Sequence, residues 1–541
     1  MGEHDEERVY HGVAAAGGLA FGTVVRADRR TMAKRQAGSP AEEAQALRDA
    51  IARAGADLDA LIAGEDDLAA EILEFQRALL DDEDLVAPIV EEVNNGTPAD
   101  AAWTAALDRE IAEYRAGDDE YFQARADDLA DLKARVLAVL HLEDATPAAT
   151  VESGLYVAED LTPSRFLELD WSRFKGAALK GGSRTSHVAI LARARGIPLV
   201  VDLQGLENGL TDGAAAVLDA EDGRLILSPR PATLARMQER AEAQAKIERD
   251  AARLLDQPAR TADGDAVTVM INVDEPGILS DVAVSHCDGV GLTRTEFLFR
   301  DGVLPDEESQ LATYAKILDW AGGKPVTIRT LDAGGDKPIP GVTDDSDPNP
   351  FMGLRGLRLS LARPAIFRVQ LRALARAAAH GSLKVMVPMV TTPAEIERVR
   401  TLLDEVIADL ETDGLPHARP ALGMMVEVPA AALQAVAFDV AFYSIGSNDL
   451  VQYATAAARD NPAVAALADP RNPAVGRLIG DVVAAGHTRG VEVSLCGDMA
   501  SDPALVPALL DTGLRCLSVA PATLGRVKAA IANYRRNGAT T

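Results

Sequence analysis

Two hydrophobic rhythms alternate along the 541 residues of this chain. Between Ser39 and Leu142, apolar side chains recur at helical spacing, as in AEEAQALRDAIARAGADLDALIA and DDLADLKARVLAVLHL, and glycine is almost absent. That period predicts a helical bundle or paired helical hairpins. On either side the apolar runs are shorter. VYHGVAAAGGLAFGTVVR, over residues 9–26, predicts one or two small-residue strands. Gly154–Ala158, Gly176–Leu179, IPLVVDL and GAAAVLDAEDGRLILSP predict further strands with glycine turns between them. Together these pieces imply a compact α/β domain from residues 1–26 and 143–230, with the helical segment 27–142 inserted. The charged stretch TLARMQERAEAQAKIERDAARLLD has no wide apolar face and predicts an exposed connecting helix within 231–258.

From Val267 onward the rhythm is strand, helix, strand, helix. Strand candidates are Val267–Val273, Gly289–Leu292, Pro325–Thr330, Leu383–Val390, Ala421–Val426, Val440–Ile445, Glu492–Leu495 and Cys516–Val519. Most are continuous apolar runs, as parallel strands buried on both faces should be. Eight such units in residues 259–541 predict a TIM barrel. A doubly wound sheet is the alternative, but no glycine-rich nucleotide fingerprint follows the first strand. The fold class is thus multidomain α/β, ending in a (β/α)8 TIM barrel.

Charge narrows the function. Asp and Glu number 83 against 54 Lys and Arg, a net charge of −29. So acidic a chain does not suit the phosphate backbone of nucleic acid. Cys287, Cys496 and Cys516 fit neither a disulfide framework nor a zinc site, which points to a reducing cytoplasm. MGEHDEERVYHG is acidic where a signal peptide would be basic, and no uncharged apolar run is long enough for a membrane span.

Barrel active sites sit at the C-terminal ends of the strands, so the residues after each strand are informative. TRTEF supplies Arg294, RTLDAGGDKP supplies Arg329, Asp332 and Lys337, and NPFMGLRGLR supplies Arg355 and Arg358. VEVP supplies Glu427, GSNDLVQY supplies Asn448 and Asp449, and LCGDMA supplies Cys496. Arginine forks suit phosphate and carboxylate. Glu427 and Asp449 could share one hard cation such as Mg²⁺, whose remaining positions substrate phosphate and water would fill. A small, highly anionic phosphorylated acid is the expected ligand, with Cys496 placed as an acid towards it. Each residue also has a plain structural reading, and Asp332 and Lys337 read equally well as a pair supporting the arginines. In the α/β domain, GGSRTSHVAILARARGIPLVV sets His187 at the start of a helix that Thr185 or Ser186 can cap. The positive end of a helix welcomes an attached phosphate, and a neutral imidazole is a competent nucleophile towards phosphorus.

These residues together resemble the enzyme I family of phosphoenolpyruvate–protein phosphotransferases, over nearly the whole chain. TSHVAILAR followed by GIPLVV resembles the phosphohistidine signature shared with the pyruvate phosphate dikinases and phosphoenolpyruvate synthases. GVGLTRTEFLF, RTLDAGGDKP, NPFMGLRGLR, VEVPAA, FYSIGSNDLVQY and CGDMA resemble the family's barrel motifs in order. DDEYFQARADDLADL is similar to enzyme I and is absent from the dikinases, which also need an ATP-binding domain.

The resemblance implies that His187 is phosphorylated on Nε2 in a swivelling phosphohistidine domain. It implies that Arg294, Arg329, Asn448, Asp449 and Arg459 bind phosphoenolpyruvate, with Arg355 near the phosphate. Glu427 and Asp449 would coordinate Mg²⁺, and Cys496 would protonate the enolate carbon as pyruvate forms. Residues 27–142 would dock an HPr-like histidine phosphocarrier, and the barrel would form a homodimer. Asp160 and Thr162, in EDLTPS, match a family segment near the histidine, and Thr162 is expected to orient the ring.

Departures from the family pattern are Ser183 in place of Gly, Val428 in place of Thr, Asp498 in place of Glu, and the absence of a C-terminal extension. They bear on substrate positioning and dimer strength. The acceptor is expected to serve sugar uptake; nitrogen regulation and dihydroxyacetone phosphorylation use enzymes of the same type. The rival readings are a phosphoenolpyruvate synthase-like or carbon–carbon lyase barrel, and a partner-binding relic without turnover.

Overall fold

The computed structural model describes residues 6–26, 37–64, 67–115, 120–141, 154–206, 210–302, 304–335, 337–343, 347, 349–458, 461 and 463–536. The chain forms two compact units, Met1–Glu242 and Ala243–Thr541.

The first unit opens with three strands, β1 (Arg8–His11), β2 (Val13–Ala16) and β3 (Leu19–Arg26), where the pattern predicted one or two. Glycines break the run at Gly12 and at Gly17–Gly18, and Gly18 has a φ of +127° that a side chain would resist. Five helices follow: α1 (Pro40–Ile62), α2 (Asp67–Leu80), α3 (Glu83–Asn94), α4 (Ala99–Arg115) and α5 (Glu120–Leu140). The chain then returns through β4 (Gly154–Ala158), α6 (Pro163–Glu168), β5 (Phe174–Leu179), α7 (His187–Ala194), β6 (Leu199–Val201), β7 (Ala215–Asp219) and β8 (Arg224–Leu227). The eight strands make one sheet in the order β1-β8-β7-β3-β4-β5-β6-β2. β3 and β4 are parallel neighbours, with Thr23 opposite Gly154, so the helices leave and re-enter the sheet at adjacent strands.

Local chemistry starts α1 where it does. Ser39 accepts from the Glu42 amide while the Glu42 carboxylate accepts from Ser39, a reciprocal cap that satisfies otherwise unpaired amides. The helices bury Leu47, Leu58, Trp103, Leu107 and Leu132 in a core shared with Leu161, Phe166, Val188 and Leu191 of the α/β part. Buried Asp131 on α5 fastens the two parts: its oxygens accept from the Ser164 amide at 2.9 Å, the Ser164 hydroxyl at 2.7 Å and Gln76 Nε2 at 3.0 Å.

Helix α8 (Pro231–Leu254) follows the sheet. Met237 near its start packs on Val217 and Ile226, and Arg240 reaches Asp219 at 2.9 Å beside Arg224 at 2.6 Å. Further along, Glu248 meets Arg526 at 2.5 Å. Between them, residues 242–247 are exposed. Among the described residues no helix is long and apolar enough to cross a membrane.

The second unit is a closed barrel of eight parallel strands. They are β9 (Thr268–Val273), β10 (Val290–Thr293), β11 (Val326–Arg329), β12 (Leu383–Val387), β13 (Ala421–Val426), β14 (Phe442–Gly446), β15 (Glu492–Cys496) and β16 (Cys516–Val519). β16 closes on β9, with Cys516 opposite Thr268. Each expected apolar run supplies a strand. Side chains alternate between the helix-facing layer and the interior, so Met424 joins the outer core while Met425 turns in to Leu292, Met386, Phe442 and Cys496.

A buried polar link steadies the mouth from outside. Gln370, on the helix Pro364–Ala377, accepts from the Leu331 amide at 3.0 Å and donates to Thr295 Oγ1 at 3.3 Å. Thr295 in turn donates to the Arg329 carbonyl at 3.0 Å. Gln370→Leu strands the Leu331 donor, and a buried donor left unpaired costs about 1–3 kcal/mol. The expected result is a lower urea midpoint for the barrel and faster exchange of the Leu331 amide; an unchanged midpoint contradicts it.

Candidate active site

His187 is the first residue of α7, whose N-cap is Ser186. Ser186 Oγ accepts from the Ala189 amide at 3.3 Å and donates to the Ser183 carbonyl at 3.0 Å. Arg193 Nη1 donates to the carbonyls of Ala15 and Arg184, both at 2.8 Å, and so pins the preceding loop. The left-handed backbone of that loop falls on Gly182, with φ +92°. Ser183 therefore sits where glycine is usual in the family without strain, its hydroxyl 3.1 Å from that of Thr185.

The imidazole is aimed by Asp128, a residue of α5. His187 Nδ1 lies 2.8 Å from Asp128 Oδ1, the aspartate is fully buried, and the histidine ring is 18% exposed. A carboxylate oxygen accepts, so Nδ1 carries the hydrogen and Nε2 keeps its lone pair. Thr162, expected to orient the ring, instead caps α6 by accepting from the Arg165 amide at 3.4 Å. Asp160 Oδ1 accepts from the Leu161 amide at 2.8 Å. Asp128 was missed from sequence, although it stands in the quoted ADDLADL. The available signal was acidic residues 128 and 131 falling on the buried side of an otherwise amphipathic helix.

At the barrel mouth the predicted residues form one charge network. Arg329 ends β11 and is 3% exposed. It lies 3.0 Å from Glu296 and 3.1 Å from Asp332. Arg355 is wholly buried and makes two forks, to Asp332 at 3.2 Å and to Asp449 at 2.9 Å. Lys337 reaches Asp332 at 3.1 Å. Burial alone would raise the Asp332 carboxyl, but Arg329, Lys337 and Arg355 outweigh it and hold it well below the ordinary range. Burial likewise opposes charge on Arg355, and Asp332 and Asp449 more than restore it.

Glu427 has the opposite balance. Burial, then Asp449 and Asp332, push its carboxyl up to about 8. Its Oε1 accepts from the Met389 amide at 2.6 Å, and Met389 has a φ of +58°, a strained conformation for a non-glycine residue. Among the described residues no group of three or more His, Cys, Asp or Glu is arranged to hold a metal ion. Asn448 commits its carbonyl to the Asp498 amide at 3.0 Å, which leaves its amide group as a donor. Gly497 stands between, with φ +101°; a Cβ there would come within 2.5 Å of Ser447 Oγ.

Cys496 is buried at the end of β15, and burial pushes its thiol up. Arg294 lies at the rim, paired with Asp274 at 2.5 Å. Arg358 donates to the carbonyls of Met352 and Gly353 and to Thr391 Oγ1, so it braces a loop. Val428 is the first residue after Glu427 and makes no side-chain cap to the short helix that follows. Arg459 lies outside the described residues. Sequence reasoning also passed over Glu296, which accepts from both Arg329 and the Asp332 amide at 3.0 Å. Glu296 Oε2, Arg329 Nε, Thr293 Oγ1 and Thr330 Oγ1 are buried without partners in the structure, polar atoms suited to a bound anion or cation and its water.

Residues 248–536 match the PEP-binding domain of the PEP-utilising enzymes, residues 152–223 their mobile domain, and residues 11–125 their N-terminal domain. The chain is 38% identical over 528 residues to the phosphoenolpyruvate-protein phosphotransferase of Geobacillus stearothermophilus, covering 95% of this chain and 91% of that one. It is 35% identical over 534 residues to the protein of that name from Priestia megaterium, covering 96% and 93%. A solution structure of an Enzyme I protein (nEIt) is similar at 25% identity, covering 44% of this chain and 99% of that one, with a TM-score of 0.37.

Asp128→Asn keeps the size of the partner but lets it donate to Nδ1. Nitrogen-15 spectra of the ring should show Nδ1–H in the unsubstituted protein and a shift towards Nε2–H in the variant. The same tautomer in both contradicts the assignment of Asp128.

Proposed function

The chain belongs to the phosphoenolpyruvate-utilising enzymes, and from that premise we propose that it moves the phosphoryl group of phosphoenolpyruvate onto Nε2 of His187. The group then passes to a histidine on an HPr-like phosphocarrier, and pyruvate is released. This is the first general step of a phosphoenolpyruvate-dependent sugar phosphotransferase system. The observation that carries the reading is the Asp128–His187 bond. It leaves Nε2 as the nucleophile, without a hydrogen-bond partner among the described residues.

The roles follow the chemistry. The P–O bond of phosphoenolpyruvate breaks as the P–N bond to His187 forms, and charge spreads over the phosphoryl oxygens. Arg329, with Arg294, Arg459 and the Asn448 amide, binds the phosphate and carboxylate. Arg355 holds Asp449 and Asp332 in place beside them. Glu427 and Asp449 are the residues that would hold Mg²⁺, and the fit is electrostatic: a raised Glu427 carboxyl beside two further carboxylates is a repulsion that a cation relieves. When bound, the ion would neutralise phosphoryl charge. The enolate left behind takes a proton on carbon from the Cys496 thiol and becomes pyruvate.

His187 belongs to one compact unit and the phosphoenolpyruvate residues to the other. Transfer requires them to meet, and delivery to a carrier requires them to part, with the 231–258 helix as connector. Residues 1–26 and 143–230 serve as the phosphohistidine domain, 27–142 as the carrier-docking domain, and 259–541 as the barrel through which two copies pair in the cytoplasm. A carrier of a nitrogen-regulatory or dihydroxyacetone kinase branch is the alternative acceptor.

Incubation with Mg²⁺ and ³²P-phosphoenolpyruvate should give an acid-labile label that His187→Ala loses entirely; full labelling of the variant overturns the reading. Stripping divalent cations with EDTA should slow labelling at least about a hundredfold, since a charge clamp on a transferring phosphoryl group is worth several kcal/mol. Added Mg²⁺ should restore it, and labelling unaffected by EDTA contradicts the metal assignment.

A further inference from the structure

We infer that Ser444 is a positioning residue for the proton-transfer half of the reaction, its hydroxyl holding the Cys496 sulfur as thiol becomes thiolate. The inference rests on Cys496 being the proton donor. Ser444 lies inside β14 and is fully buried. Its Oγ donates to Cys496 Sγ at 3.5 Å, the one hydrogen bond its side chain makes among the described residues. The thiol itself donates to the Ile445 carbonyl at 3.6 Å. The sulfur also belongs to a buried apolar cluster with Leu292, Met386, Met425 and Phe442.

A serine buried among such residues, spending its only hydrogen bond on a thiol, gains little in the resting state, because thiol sulfur is a weak acceptor. The same bond to a thiolate is charge-assisted and much stronger. In the step at issue the S–H bond breaks and a C–H bond forms at the methylene carbon of the enolate. The negative charge moves from the enolate to sulfur, and solvent later returns the proton. Burial opposes that thiolate, and Glu427 adds to the opposition; Ser444, Arg329 and Arg294 act the other way. Of these, Ser444 alone bonds the sulfur directly. Its contribution is therefore confined to proton transfer, after the P–O bond has broken.

The test separates the two halves in the full-length protein. Rapid-quench labelling of His187 from ³²P-phosphoenolpyruvate reads phosphoryl transfer. Deuterium entry into the methyl group of pyruvate, followed by NMR in D₂O with Mg²⁺ and phosphoenolpyruvate present, reads proton transfer. Ser444→Ala should slow deuterium entry by about tenfold and leave the labelling rate within about twofold, as expected for one lost hydrogen bond to a charged group. Ser444→Thr, which keeps the hydroxyl, should recover most of the loss. Wild-type deuterium entry in Ser444→Ala overturns the inference, and so does an equal fall in both rates. Cys496→Ala identifies which claim has failed. If it keeps deuterium entry, the donor assignment falls and Ser444 with it; if it loses deuterium entry while Ser444→Ala does not, the Ser444 inference alone falls.

Discussion

One hydrogen bond, between the buried carboxylate of Asp128 and Nδ1 of His187, joins the architecture of the first unit to its chemistry. It ties an inserted helix to the helix that begins with His187. A histidine at a helix start would otherwise be free to choose its tautomer, and only one tautomer attacks phosphorus through Nε2. The surrounding structure supports that choice. Asp131, on the same face of α5, anchors Ser164 with two bonds, and the helices share a core with α6 and α7. The helical insertion thus supplies the buried carboxylate that holds Nδ1 of the imidazole.

In the barrel the governing term is the cost of burying charge. Arg355 is inaccessible to solvent, as is Asp332, and each charge survives there because the others neutralise it. Removing one member of such a set leaves a buried charge uncompensated, typically a loss of about 3–5 kcal/mol. The network therefore holds the strand-end loops rigidly. Glu427, raised by burial and then by its acidic neighbours, and the unpartnered atoms of Arg329 and Glu296 are what the network leaves unsatisfied. A ligand rich in anionic oxygens, bound with a cation, meets both needs.

Much of this was legible in the sequence, for physical reasons. Parallel strands buried on both faces are mostly apolar, so each barrel strand announced itself, and the polar residues at their ends fell at the mouth by topology alone. Pairing was not legible. Nothing in the order of residues shows that Arg355 forks to both Asp332 and Asp449, or that Arg358 braces a loop. The partner of His187 lies on an element far back in the chain, whereas Thr162, nearer in sequence, turned out to be a helix cap. Residues 9–26 read as one or two strands because small residues hide the breaks that glycine makes. Ser183 looked anomalous until the left-handed turn was placed on Gly182.

The proposed chemistry turns on Nε2 of His187 receiving the phosphoryl group. The most direct measurement is NMR of the protein labelled with nitrogen-15 in histidine, after reaction with phosphoenolpyruvate and Mg²⁺. The expected result is a single phosphohistidine whose phosphorus couples to Nε2 of His187. Coupling to Nδ1, or a phosphoryl group on another residue, would contradict it.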